Sequence, residues 1–463
     1  MSSSFSSARA AREYCDRLPR RDLIQAGLGG VFGLSLPTLL GLQTRSLQAQ
    51  RFQAQRLQTQ SGNGLARRER SVIFVALAGG PTQHETYDPK PDAPREYRGP
   101  FGVAATTLPG ISFSDRMPRQ AAISDRLAIL RAVQHESGSH TSGSHFTQTG
   151  YYLQNPQTVE NEMPCIGSLV ARIRGTRKGM PPFVSLRGAL RYGRAAWLGS
   201  GYDPFVISSD PAAQDFKVPN LNLVDGLTLD RLQDRERLLA GFDAGRKYYD
   251  RQATAGAVDR FTRQAFETVG TDRVRQAFDL QREAESTRQS YGINSFGQGL
   301  LLARRLAERG VPFVSVNSGG WDNHGAKVCG FTLEESLRKR GPMFDSGIAA
   351  LVTDLYQRGL DRDVLLVCMG EFGRTPKVNN EAGRDHWGPL MSVLVSGGGL
   401  AVGQIVGGSD RHGGYPIDRP YRPENVLAMI YRHLGINPEL TFADANGRPR
   451  YLLEERGLIR ELL

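Results

Sequence analysis

Three polar clusters in the last third of the chain gather residue types that bind metals and move protons. They are Gly320-Trp321-Asp322-Asn323-His324, Gly370-Glu371-Phe372-Gly373-Arg374-Thr375 and Gly383-Arg384-Asp385-His386-Trp387. Imidazole and carboxylate together suit zinc, iron or manganese, whereas carboxylates alone favour calcium or magnesium. Asp322 and His324, separated by a single residue, can both reach one ion from a tight loop. Glu371 and His386 extend the donor set, and Asp385 is placed to orient a neighbouring imidazole. Six of the eight histidines lie in polar, Gly- or Ser-rich surroundings: His84, His140, His145, His324, His386 and His412. His84 and Glu85 follow Gly-Gly-Pro and either contribute to a site or cap a turn, while the loop 409–414 around His412 has no ligand pattern.

Short β-type runs must position these clusters. The run 311–317 is β-branched and aromatic and stops at Ser318-Gly319-Gly320, so Asp322 and His324 sit just past a strand end. The run 364–369 is continuously apolar, as a strand buried on both faces would be, and Gly370-Glu371 follows directly. A first strand over 72–78 ends in Gly79-Gly80-Pro81, and a further strand around 125–132 leads to His135 and a Ser/Gly/His-rich turn over 137–145. A helix is expected over 146–152. Later come a helix near 344–358, a strand over 391–396 and a helix over 424–434. This alternation predicts an α/β fold of three layers, α/β/α, around a mostly parallel central sheet. In such sheets ligands collect beyond the carboxyl ends of the strands, which is where the clusters fall.

The chain has 463 residues, an ordinary globular composition and a formal charge of +11. Its arginines are scattered and form no aromatic-spaced basic stripe, which argues against a nucleic-acid partner and leaves attraction of anionic substrates. Arg20-Arg21 before a Gly-rich apolar stretch over 26–42 reads as a twin-arginine export signal, giving a periplasmic or extracytoplasmic location. A membrane span is expected only if that signal stays uncleaved. We expect residues 1–49 to form the signal segment, 50–70 a flexible tether and 71–463 the folded domain, with a helical insertion at about 227–309. Cys165, Cys329 and Cys368 have no metal-ligand spacing, and Cys368 lies in an apolar strand.

The runs from Gly79 to Pro91, Gly320-Trp321-Asp322, Met369 to Pro376 and Gly383 to Trp387 resemble a bacterial exported family, catalogued as domain of unknown function 1501. That family is similar to the alkaline phosphatase and sulfatase superfamily, whose members are metal-dependent hydrolases of phosphate and sulfate esters. The resemblance implies an alkaline-phosphatase-like core and a metal set of Asp322, His324, Glu371 and His386. Glu371 stands where the superfamily places an Asp, Phe372 replaces that Asp's His partner, and Gly79 stands where a further Asp is usual. One divalent ion, zinc, manganese or calcium, is therefore expected rather than two.

Thr149-Gly150 resembles the mark that follows the superfamily nucleophile, and counting back from it lands on His140. By this resemblance His140 is a nucleophile or a metal ligand, Thr141 an alternative hydroxyl and His145 a base or ligand. Arg374 would hold an anionic oxygen through its planar donor fork, and Arg384 would either do the same or pair with a neighbouring carboxylate. The expected substrate is an anionic ester, including sulfated or phosphorylated glycans. The alternative is a non-catalytic exported binding or assembly module that keeps the fold around a degenerate site.

Overall fold

The computed structural model describes residues 69–176, 179–218 and 272–463. Eight strands form one sheet: β1 (Ser71–Ala76), β2 (Ala128–Val133), β3 (Phe183–Leu186), β4 (Phe205–Ile207), β5 (Phe313–Asn317), β6 (Val364–Met369), β7 (Met391–Gly397) and β8 (Gln404–Val406). Their order across the sheet is β8-β2-β7-β6-β1-β5-β3-β4. All pairings are parallel except those of β7, which runs antiparallel to both β2 and β6. The carboxyl ends of β6, β1 and β5 are therefore adjacent at one edge, where the sequence clusters were expected.

Every residue of β1, β6 and β7 is buried, because both faces of the sheet are covered. The period of two divides them between two cores. Ile73, Val75, Leu366 and Cys368 face one core, which includes Leu300 to Leu306 of helix α5 (Ser295–Glu308) and Leu337 to Leu355 of α6 (Leu333–Gln357). Val72, Phe74, Leu365 and Val367 face the other. Helices α2 (Ile166–Arg174) and α7 (Pro423–Leu434) complete that second core. The result is the three-layer α/β/α arrangement predicted.

Several element bounds differ from expectation for identifiable reasons. Helix α1 spans His140–Thr149 and stops at Gly150, whose φ of 80° is left-handed. The polar stretch read as a turn is thus the first half of the helix. Helix α6 begins eleven residues before Phe344, because Thr332 and Glu335 form a reciprocal capping box and Pro342 is carried inside the helix. Of the expected insertion over 227–309, residues 227–271 lie outside the described residues. The rest is helical, comprising α3 (Asp272–Phe278), α4 (Glu285–Tyr291) and α5. Helix α5 buries Leu300, Leu301, Leu302 and Leu306 in the core on one face of the sheet. The expected signal and tether lie outside the described residues apart from Glu69 and Arg70. No described helix is long and apolar enough to cross a membrane. The three described cysteines are free, and Cys165 and Cys368 are buried.

Candidate metal centre

The loops that follow β1, β5 and β6 converge because their backbones touch. A β-carbon on Gly79 would lie 2.3 Å from the Asp322 nitrogen, so a side chain there, including the Asp that the resemblance led us to look for, is excluded by the crossing of the two loops. The Gly79 N–H instead donates to Glu371 Oε1 at 2.8 Å, tying the β1 loop to the β6 loop. A two-residue ribbon, Gly373–Arg374 paired with His386–Trp387, folds His386 back over the same edge. His140 arrives from the start of α1, which the close passage of Gly143 over the Glu371 carbonyl brings against the β6 loop.

Asp322 is the hub. Its Oδ1 lies 3.0 Å from His324 Nε2 and 3.1 Å from His386 Nε2, and those two nitrogens are 2.9 Å apart. Its Oδ2 lies 3.1 Å from His140 Nε2. Two donors each about 2.1 Å from a zinc-class ion stand about 3.0 Å apart at a right angle, and about 3.4 Å apart at the tetrahedral angle. The triangle of Asp322, His324 and His386 has those dimensions. A second triad, His140, Asp322 and His386, brings its donor atoms within 4.8 Å of one another. His140 and His324 therefore flank a shared Asp322–His386 pair.

The outer nitrogens decide what the inner ones can do. His386 Nδ1 is 2.8 Å from the Gly138 carbonyl, and His324 Nδ1 is 2.8 Å from Asp385 Oδ1. Both partners only accept, so both Nδ1 atoms carry hydrogen, and in the neutral imidazoles the Nε2 lone pairs point inward. Two lone pairs and a carboxylate oxygen about 3 Å apart repel one another unless a cation or proton lies among them. This donor set fits a divalent ion, with the outer acceptors holding the rings as second partners of metal-bound histidines do.

The structure redistributes the other expected roles. Glu371 was expected as a direct ligand, but its Oε1 accepts from Gly79 and lies 2.8 Å from His140 Nδ1, so it reaches the cluster through His140. His140, read as a nucleophile or ligand, has its two nitrogens directed at Glu371 and Asp322. Hydrogen bonds to the Asp322 and Glu371 carboxylates, against the effect of burial, raise its pKa to about 9. An imidazole held this way is a donor or a cation, and no nitrogen is left to attack a substrate. Burial alone would raise the Asp322 carboxyl, but hydrogen bonds from His140 and Arg374, and from His386 when its ring is protonated, outweigh it and hold the group well below the usual carboxylate range.

Arg374 is fully buried and does not clamp a ligand. Its guanidinium donates to the carbonyls of Gly80 and Arg384 at 2.9 Å each, to that of Gly79 and to Asp322 Oδ1. Arg384 is also fully buried and pairs with Glu85 rather than with Asp385. Thr141 stays beside the centre, its hydroxyl 2.8 Å from that of Ser139. Phe372 packs its buried ring 4.3 Å from that of His386 and 5.2 Å from that of His140, walling the cluster where a further ligand was sought. His84 turns away, its Nε2 2.8 Å from the His412 carbonyl.

His145 is a structural residue. It is wholly buried; its Nδ1 lies 2.7 Å from the Tyr151 carbonyl, and its Nε2 accepts from the amides of Glu162 and Met163 at 3.2 and 3.3 Å. Replacing it with alanine leaves the part-buried amides of Glu162 and Met163 without this acceptor and the Tyr151 carbonyl with only the Thr149 hydroxyl, so urea unfolding should show a loss of about 1–3 kcal/mol. Burial lowers its pKa from 6.5, so its contribution is present above that value and declines as pH falls and the unfolded chain takes up the proton. The pH dependence of stability should flatten correspondingly in His145→Ala.

Fold and site together define an α/β protein with a histidine–aspartate centre at the carboxyl edge of a mostly parallel sheet. The chain belongs to the family described as "Protein of unknown function (DUF1501)", whose model matches residues 69–463. No match to the sequence is found among curated proteins. Among solved structures it is similar to the PsFucS1 sulfatase from Pseudoalteromonas sp., with 13% identity, 81% of this chain and 69% of that one covered, and a TM-score of 0.38. It is similar to the zinc complex of the C-terminal periplasmic domain of EcEptC from Escherichia coli, with 11% identity, coverage of 81% and 84%, and a TM-score of 0.35. It is also similar to the alkaline phosphatase of the Antarctic bacterium TAB5, with 11% identity, coverage of 80% and 100%, and a TM-score of 0.32.

Sequence reasoning missed the Gly138 carbonyl, a backbone group that no side-chain pattern announces. It also missed the buried Glu85–Arg384 pair, whose partners lie 299 residues apart in sequence.

Proposed function

We propose that this protein is an exported, metal-dependent hydrolase of phosphate or sulfate esters. The observation that carries the reading is the convergence of His140, His324 and His386 on the Asp322 carboxylate, with each outer nitrogen held by an acceptor. Asp322, His324 and His386 would hold one ion, with His140 at its flank. Such an ion supplies Lewis acidity toward an ester oxygen and lowers the pKa of water.

The chain's own residues have separate tasks. Asp385, Glu371 and the Gly138 carbonyl fix the imidazoles. At the start of α1 the first intrahelical bond is Gly143 N–H to the Ser139 carbonyl, so the amides of His140, Thr141 and Ser142 precede it. Such a helix start attracts anionic oxygens. The net charge of +11 favours approach of an anionic ester. Because His140 is occupied on both nitrogens, water is the nucleophile in this reading. Export is supported by Arg20-Arg21 and the apolar stretch behind it.

The test is metal content and turnover of phosphate and sulfate monoesters by the purified, reconstituted protein. Asp385→Asn should lower metal affinity by about 10–100-fold through His324. An unchanged affinity would remove Asp385 from the centre. The second reading, a binding module, is favoured by the burial of both Arg374 and Arg384, which leaves neither guanidinium to bind substrate at the centre. Bound metal without turnover of any ester would select it.

A further inference from the structure

Beyond the same sheet edge, past β5 and β3, two arginines reach the end of β5 and the loop after it. Arg187 follows β3 and is held at φ 60°, a left-handed conformation that non-glycine residues seldom adopt. Its guanidinium donates through Nε to Ser295 Oγ at 3.0 Å and through Nη1 to the Asn317 carbonyl, and it lies 5.7 Å from the Phe296 ring. Arg340 comes from α6 and donates through Nη1 to the Gly319 carbonyl at 3.0 Å. Its guanidinium lies against Gly320, where a β-carbon would stand 2.2 Å from the Arg340 Cζ. Gly320 has a φ of 90°, so both space and backbone conformation reserve this position for glycine.

Two like charges thus anchor to carbonyls two residues apart, on the loop that reaches Asp322 within a further three residues. Among the described residues neither has a carboxylate within ion-pairing distance. Asp210 acts on Arg187 only through its field, while Arg340 opposes it with like charge. Among the described residues Arg187 Nη2 and the Nε and Nη2 of Arg340 have no hydrogen-bond partner, and none of them is a buried unsatisfied atom. Planar donor forks with free edges are what an oxyanion requires.

We infer that Arg187 and Arg340 form an oxyanion-binding site that receives a second anionic group of the ligand whose ester lies at the metal centre. Gly320 is two residues from Asp322, at most about 7 Å along the chain, so the loop that anchors Arg340 is the loop that carries Asp322. The anion site stands on the arginines alone. Its assignment to a substrate rests on the hydrolase reading, and the experiment separates the two.

The first arm is calorimetric titration of inorganic sulfate at low ionic strength in EDTA. The wild type should bind one sulfate, and Arg187→Gln and Arg340→Gln should each weaken binding by about tenfold or more. Arg340→Lys, which keeps the charge, should retain part of it. Asp322→Asn, which removes a negative charge from the same loop, should bind sulfate no more weakly than the wild type. Arg338→Gln, two residues away on α6 and paired with Glu334, controls for net charge. Absence of sulfate binding, equal loss in Arg338→Gln or loss in Asp322→Asn would overturn the site.

The second arm compares an alkyl bisphosphate with its monophosphate on the metal-loaded protein. The bisphosphate should bind at least about tenfold tighter in the wild type, and the advantage should vanish in Arg340→Gln. Equal affinities in the wild type would overturn the two-point ligand. A monophosphate affinity that is the same with and without metal would count against the metal centre while leaving the sulfate result to stand.

Discussion

Asp322→Asn should reduce metal affinity by more than about 100-fold while leaving the protein folded. Asp322 is the only side chain whose oxygens reach His140, His324, His386 and Arg374 together among the described residues. Loss of an outer partner typically costs about 10–100-fold in affinity, and loss of the donor on which the others converge should cost more. Asparagine keeps an acceptor for the buried Arg374, so the fold is spared the uncompensated charge that alanine would leave. Competition with a chromophoric chelator measures the affinity, and circular dichroism checks the fold. A folded Asp322→Asn protein with wild-type affinity would show that the convergence is not a metal site.

The second large effect concerns stability. Arg384 and Glu85 are fully buried, and their contact is two-pronged: Nη2 lies 2.7 Å from Oε1 and Nε 3.0 Å from Oε2. The remaining Arg384 donors go to the carbonyls of Thr375, Pro376 and Tyr97. Glu85→Ala removes the counter-charge and leaves the guanidinium in a dry interior, at a cost of about 3–5 kcal/mol. Because Arg384 sits two residues before His386, the same substitution should also loosen the metal centre. Urea titration measures the loss. Glu85→Leu combined with Arg384→Met should recover much of it, since removing both charges also removes both desolvation costs. A loss below about 1 kcal/mol for Glu85→Ala would mean that water reaches the pair.

How far the sequence carried depends on the physical scale of each signal. The apolar run 364–369 and the β-branched run 311–317 report burial on both sheet faces, so the strands and the positions of Asp322 and Glu371 beyond them were legible. Of helix α1 only the later part was, because residues 140–145 are polar. They are helical on account of Gly143 passing the Glu371 carbonyl, a tertiary contact. Arg374 read as a substrate clamp, and Arg384 as a clamp or the partner of a neighbouring carboxylate, because arginine near a site normally reaches outward. Their burial follows from loop crossings at Gly79 and Gly99, where added β-carbons would strike Asp322 and Glu85. Arg187 escaped notice because β3 is only four residues long and too short to show a period.

Donor geometry distinguishes the account from its alternatives better than activity does. X-ray absorption at the zinc edge of the reconstituted protein measures ligand type and distance around the ion. The account predicts about one ion per chain, in a nitrogen and oxygen shell at about 2.0–2.1 Å with the multiple-scattering signature of two or three imidazoles. An oxygen-only shell without imidazole, or no stoichiometric zinc, would contradict it.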